Sequence, residues 1–127
     1  MSLFCIKSEE LNQIRVAPFG LEREIQNLVE KNLRILLNLE FVKSEFTISG
    51  SVKPLRIDTL AFDPQNRSFV IIEYKQDKNF SVVDQGYAYL SVMLNNKADF
   101  ILEYNDSTGK TLKKKDVDWS QSRVVLI

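Results

Sequence analysis

Between Leu21 and Leu39 the apolar residues Leu21, Ile25, Leu28, Val29, Leu36 and Leu39 recur at helical spacing, directly after the Pro18-Phe19-Gly20 breaker. The pattern predicts one long amphipathic helix. From Phe41 to Ile48 it changes to aromatic and β-branched residues, bounded by Gly50 and Pro54, which predicts a strand. Leu55 to Phe62 predicts a second. Asp63-Pro64-Gln65-Asn66 carries reversing turn chemistry, and Phe69-Val70-Ile71-Ile72 then runs apolar on both faces, as a strand buried at the centre of a sheet does. Ser81 with Asp84 three residues on resembles a capping box and opens a second helix to about Asn95. Phe100 to Tyr104 and Arg123 to Ile127 are the last strand candidates, separated by a polar, lysine-rich connection. Helix, three strands, helix, strand and a further strand predict an α/β fold with a mixed central sheet flanked by helices.

At 127 residues and 44% hydrophobic content, one domain core over residues 1–127 is expected. Lys plus Arg and Asp plus Glu number 17 each, so the chain lacks the broad positive field of a stand-alone nucleic-acid binder. The single Cys5 excludes an internal disulfide, and the absence of histidine excludes Ser-His-Asp, Cys-His and HExxH chemistry within this chain. Any reaction must run on carboxylates, lysine, tyrosine and a hard metal. No apolar run approaches the roughly 20 residues of a membrane span, and the N-terminus lacks a signal-peptide core, so a cytoplasmic protein with no membrane partner is expected. The apolar end Arg123-Val124-Val125-Leu126-Ile127 suggests a fragment of a longer protein.

The acidic residues change the picture most. Centring the hairpin between Gln65 and Asn66 makes facing residues sum to 131, which sets Asp58 opposite Glu73. Facing side chains on one face have Cβ atoms about 4.5 to 5.5 Å apart, so two carboxylates are pushed together near the sheet centre. Like charges repel and desolvated carboxylates are costly, and a divalent cation is the simplest remedy. Mg²⁺, with Mn²⁺ as a substitute, prefers oxygen ligands; Asp58, Glu73 and the backbone carbonyl of Tyr74 supply them. Lys75 follows Glu73 by two residues and therefore shares its face, where an ammonium can hold a water or steady charge on a phosphate. Gln85 and Tyr89, four apart on the second helix, lie one above the other and can orient ligands at the same site. The constellation suits hydrolysis of a phosphodiester.

Arg56-Ile57-Asp58, Glu73-Tyr74-Lys75 and Gln85 through Tyr89 together resemble the acid, ExK and QxxxY motifs of the PD-(D/E)XK, or restriction-endonuclease-like, superfamily in its RecB-like form. The resemblance covers about residues 20 to 105 and implies a restriction-endonuclease-like αβββαβ core. It also implies a Mg²⁺-dependent nuclease acting on DNA, in which Asp58 and Glu73 hold metal, Lys75 is the catalytic lysine, and Gln85 and Tyr89 support them. Members often add a first-helix glutamate; Glu22, Glu24 and Glu30 are available, and Glu24 in Glu24-Ile25-Gln26 fits the pattern best. Ile57 stands where the superfamily's name has proline. A homodimer is compatible with the sequence.

Competing readings are plain ones. Asp58 paired with Lys75 would make an inert ion pair inside a sheet, and a nuclease-derived domain can bind nucleic acid or protein without cutting. Ser107-Thr108-Gly109-Lys110-Thr111 is not a phosphate-cradling loop, because Tyr104 occupies its required first glycine. Lys113-Lys114-Lys115 reads as a solvated loop.

Overall fold

The apolar periodicity after Gly20 folds as two helices, α1 (Pro18–Lys31) and α2 (Leu33–Leu37), rather than one. Asn32 makes the break: its side-chain amide donates to the Leu28 carbonyl at 2.7 Å, competing with the backbone for that acceptor. At the other end Asn38 adopts a left-handed φ of 55°, and the Leu39 N–H turns back to the Leu33 carbonyl at 3.3 Å. The interruption lets Val29, Leu33 and Leu39 all reach the core, while Leu28 and Leu36 of the predicted stripe stay exposed.

In this computed structural model the described residues are 4–7, 10–13, 18–48, 55–74 and 80–127. Strands β1 (Phe4–Lys7) and β2 (Glu10–Gln13), not anticipated from the sequence, pair as a separate antiparallel ribbon. The main sheet has the order β3 (Glu40–Ile48), β4 (Leu55–Asp63), β5 (Ser68–Glu73), β6 (Arg123–Leu126). The first three are antiparallel neighbours and β6 lies parallel to β5, so the sheet is mixed. Helices α3 (Phe80–Asn95) and α4 (Lys97–Thr108) precede β6. Ser81 therefore lies inside the first turn of α3 rather than before it.

Phe100 to Tyr104 is not a strand but the middle of α4. A short apolar run is ambiguous by pattern alone; here Phe100 and Tyr104, one helical turn apart, are buried while Leu102 between them is exposed. Gly109, at φ 72°, closes the helix in the left-handed region, which strains residues with a side chain and which glycine adopts freely. The strand that follows the helical layer is Arg123–Leu126 alone.

Both sheet faces are covered, as the doubly apolar β5 requires. Phe69 and Ile71 pack with Tyr89, Met93, Phe100 and Tyr104 from α3 and α4. Val70 and Ile72 face the other way, onto Val29, Leu33 and Leu39. Phe69 sits edge-on to Phe62 and Phe100, and Trp119 lies 5.8 Å from it with Lys97 above the indole. Four residues turn the β4–β5 hairpin; Asp63 accepts the Gln65 and Asn66 N–H groups and the Arg123 guanidinium, tying turn to β6. Among the described residues no helix is long and apolar enough to cross a membrane.

Candidate metal centre

The site forms where the sheet lets go of Asp58. The β4–β5 pairs Asp63–Ser68 to Thr59–Ile72 all keep the sum of 131, and the ladder stops one step before Asp58 and Glu73. Side chains replace backbone there: the Glu73 carboxylate accepts the Asp58 N–H at 3.1 Å, and the Asp58 carboxylate accepts the Tyr74 N–H at 3.2 Å. On the β3 side the register passes from Ser44–Thr59 to Phe46–Ile57, leaving Glu45 and Asp58 unpaired, with Glu45 at a left-handed φ of 55°. The freed Asp58 carbonyl is taken by Gln26 of α1, whose amide donates to it at 3.0 Å and to Ser44 Oγ at 3.2 Å. Asp58 is thus cut out of both ladders and held by side chains.

Among the described residues no ion pair holds Asp58 or Glu73. Glu73 is only 2% exposed. Burial first, then the adjacent Asp58 charge, pushes its carboxyl up from 4.5 to about 7. Tyr89, buried on α3, receives the Gln85 amide at 2.9 Å and donates to the Arg56 carbonyl at 3.3 Å. Burial and the Glu73 charge push its phenol well above the ordinary value. Tyr74, raised to about 12 chiefly by burial, meets Thr59 Oγ at 3.0 Å, and Thr59 donates to Glu30 at 2.6 Å.

Asp58, Glu73, Tyr74, Gln85 and Tyr89 therefore converge. Lys75 lies outside the described residues. Glu24 does not join: it is exposed on α1, while Glu22 and Gln26 line the cleft beside Asp58 and Glu30 reaches Thr59. Residues 22, 26 and 30 are spaced by one helical turn and share a face, which residue 24 does not. That four-residue spacing was the signal for Gln26 and Glu30, neither of which the motif pattern picks out as it does Glu24. Arg23, Arg56 and Glu45 complete the lining of the cleft, about 140 Å³ in volume. Ligand pockets start at roughly 300 Å³, so this one suits an ion, its waters and a phosphate rather than an engulfed nucleotide.

The donors fit a hard cation in kind, being two carboxylates and the backbone next to Glu73, and the burial and like charge that raise the Glu73 carboxyl are what a cation would offset. They do not make a closed cage: among the described residues no group of three or more His, Cys, Asp or Glu side chains stands ready to hold a metal. Open coordination of that kind is what Mg²⁺ accepts, since it keeps several waters.

No protein-family model matches the chain, and no solved structure does. It is 52% identical over all 127 residues to a Haemophilus influenzae protein described as uncharacterized, and it spans 41% of that protein's length.

Proposed function

We propose that this domain is a Mg²⁺-dependent phosphodiesterase of the PD-(D/E)XK type, acting on DNA. The observation that carries the reading is the Asp58–Glu73 pair: Asp58 lines an open cleft, and the neighbouring Glu73 carboxylate, which accepts the Asp58 N–H, is buried and raised to about 7. An inert sheet gains nothing from such a pair, whereas a cation site requires it. Asp58, Glu73 and the Tyr74 carbonyl would hold the metal. Bound there, Mg²⁺ supplies Lewis acidity that polarises the phosphate and lowers the pKa of the attacking water. Gln26 fixes the Asp58 backbone, and the Gln85–Tyr89 pair fixes the Arg56 carbonyl, so the acids keep their places without the ladder. Lys75 takes the role of steadying charge on the phosphate, by its place in Glu73-Tyr74-Lys75.

Cleavage of supercoiled plasmid and of single-stranded DNA, with Mg²⁺ or Mn²⁺, tests this beside Asp58→Ala and Lys75→Ala. Both variants are expected to lose at least about a hundredfold in rate. Equal cutting by parent and variants would sink the proposal. The balance of 17 basic and 17 acidic residues favours one other reading, a nuclease-derived module that binds without cutting. Calorimetric titration separates the two, because the inert module shows no Mg²⁺ binding that Asp58→Ala abolishes.

A further inference from the structure

From Arg23 and Arg56, which converge on a single carboxylate oxygen of Glu45 at the mouth of the cleft, we infer a second phosphate subsite, with Glu45 as its resident stand-in for a backbone phosphate. The inference rests on the polynucleotide reading above and adds how the strand is held. Arg23 Nη1 lies 3.8 Å from Glu45 Oε1, and Arg56 Nη2 hydrogen-bonds the same atom. Two guanidinium groups thus share one negative charge. All three residues line the cleft that holds Asp58 and Tyr74.

Ion pairing alone does not account for the arrangement. The arginine side chains are 72% and 61% exposed, and ion pairs so open to solvent add little to stability. Glu45 meanwhile occupies a left-handed backbone conformation inside a strand, a state that strains non-glycine residues. The two arginines are also the cations among the residues that line the cleft. Elsewhere Lys110 is held by Glu40, Lys43 by Glu103 and Arg123 by Asp63. With zero net charge, attraction for a polyanion has to be local, and guanidinium forks suit phosphate oxygens. A strand entering the cleft exchanges the Glu45 carboxylate for one of its own phosphates, flanking the one beside Asp58.

Fluorescence anisotropy with a short fluorescein-labelled single-stranded DNA, in EDTA at low salt, tests this on the full chain. Removing the stand-in should tighten binding: Glu45→Gln by about fivefold, and Glu45→Gly similarly, since glycine accepts the φ of 55° and keeps the fold. Arg23→Met and Arg56→Met should each weaken binding about fivefold and lower the salt slope by about one. Unchanged or weaker binding in both Glu45 variants overturns the subsite, as does indifference to the arginines, or no binding by the parent chain. Cleavage in Mg²⁺ is scored separately. Binding that follows the Glu45 and arginine pattern without Asp58-dependent cutting would remove the nuclease and leave the subsite; Asp58-dependent cutting with flat binding would do the reverse.

Discussion

Glu73 holds its proton in the folded chain at a pH where the unfolded chain has released it. Its carboxyl stands at about 7 against an ordinary 4.5, so between those values the folded state binds more protons than the unfolded one. Stability in the absence of metal should therefore fall as pH rises from about 4.5 to 7 and flatten above, by on the order of 1–3 kcal/mol from this pair. Denaturant titrations in EDTA across that range measure it; a rise in stability with pH over the window would contradict the assignment of burial and Asp58 as the causes. Asp58→Asn removes the neighbouring charge yet can still accept the Tyr74 N–H, so at pH 8 it is expected to stabilise the metal-free protein by about 1 kcal/mol. Added Mg²⁺ should reverse the order, raising the melting temperature of the parent and not of the variant. The Asp58–Glu73 meeting was legible in the sequence because a single turn fixes the register of the whole hairpin. The first-helix residues were less so. Apolar spacing says that a helix has a buried side, and which polar residues flank it toward β4 depends on how α1 sits on the sheet; Gln26 and Glu30 are found there, and Glu24 is not.

At the scale of elements, the sequence and the structure part company where local pattern permits two answers. A strand over Phe100 to Tyr104 would turn Phe100, Leu102 and Tyr104 to one side, whereas α4 buries the outer two and exposes the middle one. Leu102→Ser should therefore change stability by less than about 0.5 kcal/mol, while Phe100→Ala, which empties a fully buried site between Phe46 and Phe69, should cost about 3–5 kcal/mol. Chemical denaturation of the two variants gives the comparison, and similar losses for both would restore the strand. The break at Asn32 was equally hidden, because asparagine in a helical pattern is common and its bond to the Leu28 carbonyl is local. Strands β3, β4 and β5 were readable almost end to end, since β-branched runs between turn signals leave little choice.

For the whole molecule, the sheet's two faces divide the labour. α1 brings Gln26 and Glu30 to one side of the Asp58 break, and α3 brings Gln85 and Tyr89 to the other. The site thus depends on both helical layers docking, and neither layer alone would assemble it. The chain also corresponds to 41% of its Haemophilus influenzae relative, so activity of the longer polypeptide is a separate measurement from that of this domain. One aromatic residue makes that separation practical. Trp119, the only tryptophan, rests against Phe69 near the start of β5, whereas Glu73 ends the strand four residues on, about 13 Å away. Its emission is an intrinsic optical gauge of whether the hydrophobic interior is assembled, and it lies outside the contact range of the carboxylates. A loss of cutting at unchanged tryptophan emission therefore belongs to the chemistry, and a loss accompanied by a red shift belongs to the fold.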